Sequence, residues 1–169
     1  MKQLLLDIKD RLATVTDVQF SALFNNQFEN INQQDPNNYY AFPLPAVLVE
    51  FDNNNTPNYI GNGVQIYEPL VVRFHIGMEQ LDSGTGTLDE NLDIFDLKNK
   101  IYLAFQNWHT EGSGTFNRTS EVQDYNHNNL YVWQMEFTTS YIDQFAIEPR
   151  NGVVKQPPTN LDFTVTNDL

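Results

Sequence analysis

The feature that most constrains this chain is a fifteen-residue alternation, Gln65 to Glu79, in which Ile66, Glu68, Leu70, Val72, Phe74, Ile76 and Met78 fall on one side. Gln65, Tyr67, Val71, Arg73, His75 and Glu79 fall on the other. Strict period-two patterning is the signature of a strand whose neighbouring side chains point to opposite faces of a sheet. A run of this length with one mostly apolar face predicts a long strand at the heart of a sheet, with a covering layer on that face.

A second alternation supplies a partner. Tyr131, Trp133, Met135, Phe137, Thr139 and Tyr141 alternate with Val132, Gln134, Glu136, Thr138 and Ser140, so the aromatic set predicts a face packed on a helix. The polar stretch Phe116 to Tyr125 precedes it, and Asn126-His127-Asn128-Asn129 reads as the turn of a hairpin. Leu44 to Phe51 has the β-branched, apolar character of a buried strand, with Pro45 marking its start or an edge. Val18, Phe20, Ala22 and Phe24 alternate as a first strand, and Asn25 to Asn38 reads as a loop.

Two helices are predicted. Leu4, Leu5, Ile8 and Leu12 recur at helical spacing and the helix ends near Thr14. The other runs for about twenty residues from Leu88, with Leu92, Phe95, Ile101, Tyr102, Phe105 and Trp108 as its apolar stripe, and Glu111-Gly112-Ser113-Gly114 breaks it. Ser83-Gly84-Thr85-Gly86-Thr87 is a flexible connector before it. The class is therefore α+β, a mainly antiparallel sheet covered by two amphipathic helices. Residues 1–142 form the core domain and 143–169 an extended C-terminal arm, in which Pro149, Pro157 and Pro158 punctuate the chain and Leu161-Asp-Phe-Thr-Val165 alternates like a short strand. A strand without a sequence-local partner pairs elsewhere, on its own sheet or on a neighbour's, or else is a frayed terminus.

Charge and composition narrow the function. A formal net charge of −13 with nine scattered Lys and Arg argues against holding nucleic acid by phosphate neutralisation. A negative wall lining a channel through which DNA slides remains compatible with it. There is no cysteine, which excludes disulfides and thiolate chemistry. The start of the chain is broken by Asp7, Lys9 and Asp10, unlike a signal peptide, and no apolar run is long enough to cross a bilayer. The expectation is a chain kept in the cytoplasm or built into a particle assembled there, with no membrane partner.

Chemistry-bearing patterns are sparse. His75, His109 and His127 lack the mutual spacing of a metal site, and Asp93 with Asp96 reads as a solvated helix face. The Asp82 to Asp89 segment lacks the ligand spacing of a calcium loop. Gly84-Thr-Gly86 and Gly112-Ser-Gly114 fit no phosphate-binding loop, and no Gly-x-Ser-x-Gly elbow occurs. The chain is read as a non-enzyme without cofactors or metal. Tyr39, Tyr40, Tyr59 and Tyr67 lie in or near Asn-rich loops and suit protein or glycan contact, or the anchoring of a loop on the core.

The helix Leu5-x-x-Ile8-x-x-x-Leu12, the run Pro45-Ala-Val-Leu-Val-Glu-Phe51 leading to Glu68-Pro-Leu-Val-Val-Arg-Phe-His-Ile76, and the helix Leu92-x-x-Phe95-x-x-Lys98-x-x-Ile101 together resemble the tail-terminator and neck-ring proteins of tailed phages, over residues 1–142. The resemblance implies a homo-oligomeric ring, typically hexameric, that ends the tail tube or joins the tail to the head connector and lets DNA pass as cargo. It brings no catalytic residues. A collar ring of a short-tailed phage is a close variant, and a non-viral protein- or glycan-binding module is the alternative. In a ring of this kind the long strand, the 79–88 connector and the arm are expected to make the subunit or partner contacts, through Tyr67, Arg73, His75, Asp82, Phe163 and Val165.

Overall fold

A computed structural model describes residues 1–30, 42–52, 54–79, 88–127 and 130–145. Within them the chain runs α1 (Lys2–Leu12), β1 (Phe20–Leu23), a short 3-10 turn (Gln27–Asn30), β2 (Ala46–Phe51), β3 (Asn58–Gly61), β4 (Val64–Glu79), α2 (Leu88–Phe105), β5 (Asn117–Asp124) and β6 (Leu130–Asp143). The strands form one open sheet in the order β1-β2-β4-β6-β5, with β3 paired to the first residues of β4. Only β1 and β2 run parallel. The α+β class read from the sequence is the class observed. Asp82, Phe163, Val165 and the strand expected at Leu161–Val165 lie outside the described residues.

Both helices lie on one face of the sheet. Leu4, Ile8 and Leu12, four residues apart, are fully buried from α1, and Ile94, Leu97, Ile101 and Phe105 from α2. They meet Val47 and Val49 of β2, Leu70, Val72, Phe74 and Ile76 of β4, and Met135 and Phe137 of β6. At the centre the Phe74 ring meets Phe105 edge-on at 4.7 Å and Phe137 at 5.4 Å, with Phe116 and Trp108 extending the cluster. Each such side chain stabilises the fold by about 1.5–3 kcal/mol through burial alone. The helices are also tied to one another, since Arg11 Nε donates to the Ala104 carbonyl at 2.9 Å, and Lys100 of α2 pairs with Asp17 in the segment between α1 and β1.

The α2 stripe matches expectation in its second half, where Ile101 and Phe105 are buried and Tyr102 and Trp108 pack against the core. In its first half Leu92 and Phe95 are exposed, and Ile94, Leu97 and Lys98 are buried instead. Lys98 is an ammonium on the buried side of a helix. It is tolerated because it pairs with Glu121 and lies 4.2 Å from the centre of the Trp133 ring. The helix also stops earlier than Gly112. Asn107 takes a left-handed conformation (φ 62°), and its N–H then donates to the Phe116 carbonyl while Phe116 N–H donates to Trp108. That two-way exchange redirects the chain into β5.

The long strand exists, but its phase changes once. Tyr67 faces Tyr141 and Leu70 faces Thr139, so three steps on β4 match two on β6: a bulge at Glu68-Pro69. Pro69 has no N–H to give the ladder, which makes this the natural place for the interruption. The extra residue moves everything before it to the opposite face. Tyr67, expected on the polar side, therefore packs against the helix-side core, with its ring 6.5 Å from that of Tyr141. Glu68 is exposed and does not share the face of Leu70.

One strand was not foreseen. Asn62 (φ 54°) and Gly63 (φ 80°) both hold left-handed backbone and turn β3 into β4. An Asn-Gly pair between apolar residues is the strongest short-range hairpin signal, so the cue was present in the sequence. Between the stretches of β4 paired to β3 and β2, the Asn55 side chain takes the place of a strand. It accepts from Val71 N–H at 2.8 Å and donates to the Val71 carbonyl at 2.9 Å.

Candidate functional site

The face of the sheet away from the helices is divided. At one end a small apolar cluster forms from Phe28, Ala46, Leu48, Leu130 and Val132, with Phe20, Ala22, Phe42 and Leu44 against it. Phe28 from the 3-10 turn lies directly over Gly77, where an added Cβ would come within 2.5 Å of the ring. Glycine is what lets the turn seat on the strand.

The other end is charged, and β4 supplies its centre. Antiparallel register places Glu50 of β2 and Glu136 of β6 on either side of Arg73. The guanidinium donates to Glu50 Oε2 at 2.9 Å, to Asp52 Oδ2 at 3.0 Å and to Glu136 Oε2 at 3.1 Å. Burial opposes the charge on Arg73, yet its hydrogen bonds to Glu136, Glu50 and Asp52 outweigh it and hold its pKa above the usual value. Asp52 is held below the usual carboxylate range by the Asn54 backbone N–H and by Arg73. Three carboxylates around one guanidinium leave the patch negative.

His75 is buried one strand-pair step further along, with Nε2 2.7 Å from Glu50 Oε2. Phe24, just past β1, stacks face to face on the imidazole with centroids 3.8 Å apart. Burial pushes the His75 pKa down against the opposing pull of Glu50. The neutral tautomer that fits this contact carries its proton on Nε2 and donates it to Glu50. Beyond it, Gln134 donates to Asp124, which also faces His127 at 3.4 Å.

Of the residues singled out from the sequence, Arg73 and His75 come together here through their shared contact with Glu50. Tyr67 lies on the opposite face. Phe24, Glu50, Asp52 and Glu136 were missed. An arginine and a histidine on the polar side of an otherwise apolar strand were a visible cue, but which carboxylates flank them depends on a register that only the folded sheet defines. Among the described residues, no group of three or more His, Cys, Asp or Glu is arranged to hold a metal ion, and no helix is long and apolar enough to cross a membrane.

A different surface stands out at the far end of the sheet, where β3, the start of β4 and the end of β6 lie side by side. Tyr59 is 70% and Ile60 62% exposed on β3, and Phe145, just after β6, is 98% exposed. Ile142 and Leu6 are exposed nearby and, with Tyr141 and Phe145, line an open concavity of about 780 Å³. Such a gathering of large apolar side chains on a chain this polar is the usual mark of a contact surface. No known protein family matches this sequence, and no curated protein matches it either.

Proposed function

We propose that this chain is a structural subunit of a tailed-phage particle that assembles with copies of itself into a ring at the end of the tail tube or at the junction with the head connector. Six copies is the number the resemblance implies, and DNA passes through the ring as cargo. The collar ring of a short-tailed particle is the close variant. Assembly takes place in the host cytoplasm, and the mature location is the virion.

The observation that carries this reading is the apolar end of the sheet, Tyr59, Ile60, Ile142 and Phe145, exposed on a domain whose core is already closed on the helix side. A ring needs a head-to-tail interface made of two different patches. The negative Arg73 patch offers a second, chemically distinct surface for neighbouring subunits or other virion proteins. The net charge of −13 suits a lumen along which DNA moves without sticking.

Mass spectrometry of purified particles tests the proposal. The chain is expected as a low-copy component, and its absence would sink the reading. The second reading, a glycan- or protein-binding module, is favoured by the exposure of Tyr59 and Tyr125. A glycan-array signal abolished by Tyr59→Ala would support it instead.

A further inference from the structure

We infer that the free edge of β3 is the docking strand for residues 161–165 of a neighbouring copy of the chain, so that subunits are linked by an added strand. The inference rests on the ring reading and specifies its joint.

β3 pairs with β4 on one side, and no strand lies on its other side among the described residues. Its four residues, Asn58-Tyr59-Ile60-Gly61, carry no charge. A sheet edge is a row of unpaired N–H and C=O groups ready to template another strand, and proteins normally blunt it with charge or cover. The contrast within this sheet is informative. The edge strand β5 carries Arg118, Glu121 and Asp124, and the edge strand β1 directs Phe20 and Ala22 into an apolar cluster. β3 has neither charge nor cover; it is short and bulges at Ile60, yet both of its large side chains face solvent.

The chain also leaves the domain beside this edge. Register places Tyr59, Gln65 and Asp143 in one row across β3, β4 and β6. The end of β6 is thus two strand spacings, about 10 Å, from β3. Past Phe145, residues 146–160 precede the segment Leu161-Asp-Phe-Thr-Val165, whose apolar residues alternate as an added strand requires. Those fifteen residues can span up to about 50 Å, several times the distance back to their own β3. Reach permits either edge, and the ring reading, which needs a joint between subunits, selects the neighbour's.

Absence of native cysteine makes the test clean. Full-length Ile60→Cys is mixed with full-length chains carrying a single cysteine at 161, 162, 163, 164 or 165 and oxidised, with circular dichroism confirming that each variant is folded. The expected result is a disulfide between chains whose yield alternates with period two along 161–165, as strand pairing demands. Uniform yield, no cross-link, or closure within one chain when both cysteines are placed on a single molecule would each overturn the inference. Light scattering on the unmodified chain separates the two levels. An oligomer without the alternating cross-link removes the strand joint and leaves the ring reading standing. A monomer that is also missing from particles removes the ring reading itself.

Discussion

The two faces of this sheet use the same strands for opposite purposes. On the helix side, β4 and β6 present Leu70, Val72, Phe74, Ile76, Met135 and Phe137 to two helices, and all of these side chains are buried. On the other side, Arg73, Glu50 and Glu136 form a polar network that keeps partial contact with water, with buried His75 joined to it through Glu50. One face is stabilised by apolar burial, which involves no titrating group. The other is held by charge pairs whose desolvation offsets much of their attraction. The helix face therefore carries most of the stability of the domain, with the apolar cluster around Phe28 adding to it from the other side, and the charged end around Arg73 is the part that can change partners without unfolding it.

That contrast can be broken at several strengths. The largest effect is expected for Phe137→Ala, which empties the centre of the aromatic cluster and should cost about 3–5 kcal/mol in denaturant unfolding. Arg73→Gln, on the opposite face and nearly level with it, leaves Glu50, Asp52 and Glu136 without their shared cation. The loss should be about 1–3 kcal/mol, reduced by the water these groups still see, and measurable by the same unfolding curves. If the two substitutions cost the same, the division of labour between the faces is wrong.

A smaller effect is expected from pH, and its sign follows from His75. Its folded pKa lies below 6.5 because the site is buried, so between that pKa and 6.5 the unfolded chain binds more protons than the folded one. Stability is fully present above 6.5 and falls as pH drops through this window. Glu50 and Asp124 pull the other way and Arg73 adds to the depression. Phe24→Ala removes the stacked ring, and proton NMR should then report a His75 pKa closer to 6.5 and a flatter stability profile. Asp52, held below its usual 3.8, adds a further loss at still lower pH.

The fold was largely legible because long alternations and a short Leu4-Ile8-Leu12 helix repeat leave little choice of layer. What escaped was local. The Pro69 bulge reverses the phase of β4, so that reading the alternation straight through placed Tyr67 on the wrong face. The second half of the α2 stripe was read rightly, but its first half was misphased because Lys98 lies on the buried side, supported by Glu121 and Trp133 from strands that no helical pattern can see. The polar site was half legible: Arg73 and His75 stood out, while Glu50, Asp52 and Glu136 became partners only through cross-strand register. β3 went unread although Asn62-Gly63 announces its turn.

The most direct test of the account is the mass of the purified full-length chain by native mass spectrometry, compared with that of a variant in which Tyr59 and Ile60 are both replaced by Asp. The account predicts one closed oligomer for the unmodified chain, with six members as the resemblance implies. The variant should fall back to a folded 19.6 kDa monomer. An oligomer that survives the double substitution unchanged, or a wild-type chain that stays at 19.6 kDa at every concentration and is missing from particles, would contradict it.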